Sequence, residues 1–260
     1  MLKILKIEKE RNKMIKYVLF DTETTGNQPE DRIIQVGAMV IGSKGQVEVY
    51  DELCSSDVAI KLEAMEVHNI TPDVIEGKAP FVSTKFWSDL QDLNVESNYL
   101  IAHNIQFDLG MLEKEGFSNQ MKLIDTLRCS KHLFPDSSYH RLQYFRYSLG
   151  LYKKEQEEAS KHGITIKAHD AIGDVLVMKL LLSELVAKVK EKYAGINPMV
   201  KLEELTRTPV VLKSFKFGKY KGEEIADIAR SDAGYIKWML KSLELDEDLK
   251  YTLERVLESV

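Results

Sequence analysis

Tyr17-Val-Leu-Phe-Asp21-Thr-Glu23-Thr-Thr-Gly26 is the stretch on which the fold turns. Four apolar or aromatic residues run into two carboxylates, and a turn ending in glycine follows at once. Such an apolar run, closed by turn residues, reads as a buried strand. Side chains alternate with period two along a strand, so Asp21 and Glu23 share a face. Two carboxylates at the exit of a buried strand repel and desolvate each other, and cations between them relieve both costs. The stretch is a candidate metal site.

Working outward, Arg32 to Ile41 reads as a second strand and Gln46 to Cys54 as a third, joined by a Gly42-Ser-Lys-Gly45 hairpin turn. Glu63 to Ile70 has helical character, and Thr71-Pro72 marks another helix start, with Thr71 as N-cap. Phe81 to Leu93 follows the 3.6-residue period. Two short strands, Asn98–Ala102 and Lys122–Thr126, each lead into a helix. Arg141 to Leu149 reads as helix, Glu155 to Gly163 as a polar loop, and Asp170 to Lys192 as a long buried helix. An antiparallel opening followed by strand–helix alternation makes an α/β fold, a mixed sheet flanked by helices.

The chain has 260 residues, 44% hydrophobic and 30% charged, which suits one large globular domain and a small one. The expected division is a 1–14 appendage, a main domain over 15–194, a linker over 195–208 and a small module over 209–260. A net charge of −5 excludes general electrostatic coating of nucleic acid, so binding needs a local patch or bound metal. The two cysteines, Cys54 and Cys129, read as buried hydrophobes in a reducing cytoplasm. No apolar run approaches a membrane span, and the lysine-rich start has no signal-peptide core.

Four acidic residues stand out: Asp21 and Glu23 on the first strand, Asp108 one turn into a helix, and Asp174 near the start of the long helix, preceded by His169. Singly, each has a plain alternative as a helix cap or a solvated charge. As an ordered set, Asp21-Thr-Glu23-Thr-Thr-Gly26, His103-Asn-Ile-Gln-Phe107-Asp108 and His169-Asp-Ala-Ile-Gly-Asp174 resemble the DEDDh 3′–5′ exonucleases, the DnaQ-like enzymes with a ribonuclease H-like fold. The resemblance runs from about Lys16 to Lys190. His68-Asn-Ile-Thr71 matches a further segment, with Asn69 where glycine is usual, and Ile124-Asp125-Thr126 another. No Tyr-x-x-x-Asp occurs at the third motif, which disfavours the tyrosine subclass.

The resemblance implies two divalent ions, Mg²⁺ or Mn²⁺, clamping the attacking and leaving oxygens of a phosphodiester about 3.5–4 Å apart. Such hard ions prefer oxygen ligands. Asp21 would bridge, Glu23 and Asp174 would complete one ion, and Asp108 would hold the second. His169, on the loop before the long helix with Asp170 as N-cap, would be the general base, a role typically worth about 10²–10⁴-fold. Thr24, Thr25 and Gly26 would approach the terminal nucleotide, with His68 as a further candidate contact. Phe107 is read either as core or as a face stacked on that nucleotide. His132, His140 and His162 read as ordinary surface or half-buried histidines.

Arg207 to Gly222 carries five basic residues and no carboxylate, although residues 207–260 balance ten Lys/Arg against ten Asp/Glu. Lys213, Phe215, Lys216, Lys219, Tyr220 and Lys221 are a candidate nucleic-acid patch on a hairpin, or a solvated lysine face. Asp232 and Asp246 are expected N-caps, and Trp238 the core anchor of this α+β module. Phe-Gly-Lys-Tyr-Lys-Gly, with the later Asp-x-x-Tyr-Ile-Lys-Trp, is similar to the C-terminal region of exodeoxyribonuclease X-like proteins. Together the resemblances imply a cytoplasmic 3′–5′ exonuclease releasing nucleoside monophosphates from single-stranded or frayed DNA. The alternatives are an exoribonuclease, a polymerase proofreading subunit, and an inactive nucleic-acid-binding protein.

Overall fold

A computed structural model describes residues 15–42, 45–166 and 170–259. The expected appendage, two residues of the hairpin turn and His169 lie outside the described residues. The chain divides into two units, Met1–Thr206 and Arg207–Val260.

The first unit is built on a five-stranded mixed sheet of order β3-β2-β1-β4-β5. β1 (Lys16–Thr24), β2 (Ile33–Gly42) and β3 (Val47–Leu53) pair antiparallel, and β4 (Tyr99–Ala102) and β5 (Lys122–Asp125) join parallel. The register sets Asp21 opposite Gly37 and Glu23 opposite Gln35. Period two sends alternate residues of β1 to opposite cores. Val18 and Phe20 pack with α3 (Lys85–Leu93) and α4 (Ile105–Lys114). Leu19 packs with α5 (Thr126–Leu133), α6 (Leu142–Ser148) and α8 (Ala171–Lys192). Asp21 and Glu23 share the parity of Leu19 and therefore face α8, whereas Thr22 faces α4.

One glycine makes this packing possible. A Cβ on Gly37 would fall inside the backbone of Ala171 and Ile172, so the first turn of α8 lies directly on the sheet beside Asp21.

Two short helices, α1 (Leu62–His68) and α2 (Pro72–Ile75), follow β3. Thr71 is at the N-cap of α2 but gives its hydroxyl to Asp73, 2.6 Å away, instead of capping the backbone. The helix expected from Phe81 opens as a 3-10 turn, and α3 begins only after Thr84, which accepts from Trp87 N–H. The loop expected over 155–163 is instead part of a helix, α7 (Tyr152–His162). Its polar sequence is held by a bidentate pair between buried Glu155 and Arg146, at 2.6 and 2.7 Å, and by Lys179 on Glu158. The expected linker also forms a helix, α9 (Pro198–Arg207), which buries Leu202 and Leu205 in the first unit's core.

The second unit has α10 (Ile225–Ser231), α11 (Ala233–Ser242) and α12 (Glu247–Glu258). Asp232 and Asp246 cap α11 and α12 as expected. The expected hairpin reduces, among the described residues, to one bridge between Ser214 and Glu224. Trp238 is not the core anchor. It is 50% exposed, because Ile236 and Met239 take the inward face of α11, and Phe215 fills the centre with Ile228 and Leu253. Among the described residues no helix is long and apolar enough to cross a membrane. Cys54 and Cys129 are buried, unpaired thiols.

Candidate active site

The end of β1, the start of α4 and the first turn of α8 bring Asp21, Glu23, Asp108 and Asp174 into one electrostatic neighbourhood. Burial raises the Asp21 pKa well above the carboxylate range, and the charges of Asp108, Glu23 and Asp174 push it further. Glu23 is raised to about 8 by burial first, then by Asp174, Asp108 and Asp170. Asp108 is raised to about 7 by burial, although Thr22 opposes the shift by donating its N–H at 3.1 Å and its hydroxyl at 2.7 Å.

Buried carboxylates that repel one another in this way form a donor set suited to hard divalent cations, which supply the missing positive charge. Among the described residues, no three His, Cys, Asp or Glu side chains are gathered tightly enough to hold an ion without adjustment. Two oxygens are already engaged: Asp108 Oδ1 by Thr22, and Asp174 Oδ1 by Gln143 Nε2 at 2.6 Å. The donor set, four carboxylates in one neighbourhood, fits such a group by its chemistry.

Asp170 is at the N-cap position of α8, but its side chain does not cap the helix. One oxygen accepts from Gln35 Nε2 at 2.7 Å, and the other is buried with no hydrogen bond among the described residues. His169 is outside the described residues.

A cavity of about 620 Å³ opens beside Glu23, lined also by Thr22, Thr24, Gly26, His68 and Phe107 among others. Phe107 is 36% exposed and lines the cavity, so it is not part of the core. His68 is buried. Its Nδ1 accepts from Ile70 N–H at 2.9 Å, which leaves Nε2 to donate to Thr24 carbonyl oxygen at 3.2 Å. With both nitrogens engaged, it braces the turn after β1 at the wall of the cavity. Burial lowers its pKa and keeps the ring neutral.

Thr25 is also structural. It is fully buried, donates to Asp31 Oδ1 at 2.9 Å and accepts from Arg32 N–H at 3.0 Å. Asp31 in turn pairs with Lys61 at 2.6 Å. A side chain at Gly26 would collide with that pair, so only glycine fits there. His103, in the second motif, bonds Thr126 at 2.9 Å and His140 carbonyl oxygen at 3.0 Å, and burial pushes its pKa down to about 4. Asn104 adopts a left-handed φ of 76°, with its N–H on Asp125. These two residues anchor the start of α4 and so aim Asp108. Three positioning residues escaped the sequence reading: Gly37, Gln35 and Gln143. A glycine inside a strand signals a close backbone approach, but neither glutamine carries any local signal.

In comparison with known proteins, the Exonuclease family model matches residues 18–182. The chain belongs to the exonuclease family. The Exodeoxyribonuclease X-like C-terminal model matches residues 215–244. Exodeoxyribonuclease 10 of Escherichia coli (strain K12) is 26% identical over 243 residues, covering 93% of this chain and 98% of its own. DNA polymerase III subunit epsilon of Treponema pallidum (strain Nichols) is 30% identical over 182 residues, covering 66% of this chain and 77% of its own. A solved structure of exonuclease X in complex with 5′ overhanging duplex DNA aligns with a TM-score of 0.53 at 19% identity. It covers 73% of this chain and 99% of that one, a likeness of fold. The expectations of an exonuclease and of a ribonuclease H-like mixed sheet hold.

Proposed function

We propose that this exonuclease removes nucleotides one at a time from the 3′ end of DNA, in the cytoplasm, with Asp21, Glu23, Asp108 and Asp174 holding Mg²⁺ or Mn²⁺. The observation that carries the reading is the convergence of Asp21, Glu23, Asp108 and Asp174 from three segments into one neighbourhood, in a chain whose residues 18–182 match the Exonuclease family. Bound divalent ions supply neutralisation of charge on the phosphoryl group and acidification of water.

The protein's own residues do the rest. Phe107 offers a flat face to the terminal base, a contact that tolerates any sequence. His68 fixes the Thr24 carbonyl, and so the backbone beneath the sugar. His169 takes the proton of the attacking water. The water oxygen bonds to phosphorus as the bond to the preceding 3′ oxygen breaks. A nucleoside 5′-monophosphate leaves, and the shortened strand keeps a 3′-hydroxyl. The preference for DNA rests on the similarity to exodeoxyribonuclease 10 over nearly the whole chain.

The test uses 5′-labelled DNA and RNA of one sequence with Mg²⁺, Mn²⁺ or chelator, for wild type and Asp174→Ala. A descending ladder on DNA, absent with chelator or the variant, is expected. Preferred digestion of RNA would overturn the substrate, and shortening from the 5′ end would overturn the polarity.

A further inference from the structure

The second unit carries exposed aromatic and basic residues that overlap the patch expected from the sequence. Phe215 is core, but Trp238 is 50% and Phe217 46% exposed. Tyr235 ties the face together. Its ring lies 5.6 Å from Trp238 and 5.0 Å from Tyr220, and its hydroxyl accepts from Lys219 N–H at 3.3 Å. Gly218, with φ of 78°, lets the loop close over that hydroxyl, where a side chain would collide. This places Phe217, the residue before Gly218, in the same rigid loop.

The two segments that supply these rings carry charge of one sign. Residues 209–222 and 233–243 hold six lysines, all exposed, and no carboxylate. Asp232, between the two segments, accepts from Tyr220 hydroxyl at 2.7 Å, from Tyr235 N–H at 3.1 Å and from Lys219 at 3.2 Å. Its charge is used internally. Exposed rings need unpaired bases on which to stack, and the lysines need a polyanion. A duplex would satisfy only the lysines.

We propose that this face binds single-stranded DNA, with Trp238 and Phe217 as stacking surfaces and Lys216, Lys219, Lys237 and Lys241 along the backbone. The proposal rests on the DNA exonuclease reading and extends it from the terminal nucleotide to an unpaired stretch of the same strand. Stacking is worth about 1–3 kcal/mol per base, so losing one ring weakens binding by roughly tenfold or more.

The test uses the full chain in chelator, where no strand is cut, with a twenty-residue oligothymidylate. Trp87 and Trp238 are the two tryptophans, and Trp87 is partly buried in the first unit's core. The oligonucleotide is expected to quench the emission of wild type but not of Trp238→Phe. Trp238→Ala is expected to weaken affinity by anisotropy about tenfold, and Lys216→Glu with Lys241→Glu to flatten its salt dependence. Thermal unfolding checks that each variant is folded. Absence of quenching overturns the proposal, as does equal quenching by duplex. Adding Mg²⁺ afterwards separates the two readings. Digestion without prior quenching refutes the face alone, and quenching without digestion refutes the nuclease assignment alone.

Discussion

Thr22 places its backbone N–H and its hydroxyl on the same oxygen of Asp108, at 3.1 and 2.7 Å, across 86 residues of sequence. Thr22 points to the face of β1 opposite Asp21 and Glu23, and the bond draws α4 to the strand end. A hydroxyl donating to a buried carboxylate is worth about 1.5–3 kcal/mol. Thr22→Val is expected to lower exonuclease activity roughly 10–100-fold and to raise the Mg²⁺ concentration for half-maximal rate, with Thr22→Ser close to wild type. A metal titration of the rate checks this. An unchanged half-saturation point would leave Thr22 a fold residue only.

A second chain of contacts reaches Asp174 from the other side. Buried Glu155 grips Arg146, Arg146 donates to Gln143 Oε1 at 3.3 Å, and Gln143 Nε2 donates to Asp174. Removing one partner of a buried ion pair costs about 3–5 kcal/mol because the other charge is stranded. Arg146→Met should therefore lower the unfolding temperature sharply, and Arg146→Met with Glu155→Met should recover much of it. Gln143→Leu should leave stability nearly unchanged while altering the metal dependence of the rate. Denaturation curves and metal titrations separate the two effects.

Gly37→Ala puts a methyl group into the first turn of α8. Overpacking costs about 1–3 kcal/mol, and here the obstacle is backbone, which has little room to yield. The variant is expected to unfold at lower temperature and to lose activity beyond what its unfolded fraction explains, because Asp174 moves with the helix. Near-normal activity from the folded fraction would contradict the close approach.

The raised carboxylates give stability a definite pH dependence. Between the ordinary value of 4.5 and about 8, the folded state keeps a proton on Glu23 that the unfolded chain releases. Stability in chelator should therefore fall as pH rises through that window, by on the order of a few kcal/mol. Divalent ions favour the ionised form, so their stabilising effect should grow from pH 5 to pH 8. Unfolding temperatures with and without Mn²⁺ across that range test the sign.

Much of this was legible from residue order alone. The apolar run into Asp21 and Glu23 gives the strand and its shared face, and the three motifs give the carboxylate set. Three kinds of feature were not legible. The helix α7 looks like a loop because its stabilising partner, Arg146, lies outside it. The bracing roles of His68 and Thr25 are hidden because a sequence names donors but not the bonds they already make. Trp238 looks like core because size alone suggests burial, whereas the inward face of α11 is set by where Ile236 and Met239 fall.

Mn²⁺ binding to the full chain, counted by electron paramagnetic resonance in the presence of thymidine 5′-monophosphate, tests the carboxylate centre most directly. Wild type is expected to bind two ions and Asp21→Asn to lose both, with the variant still folded by circular dichroism. Binding by Asp21→Asn equal to wild type, or no binding by either, would contradict the assignment of these four carboxylates as the ion-holding centre.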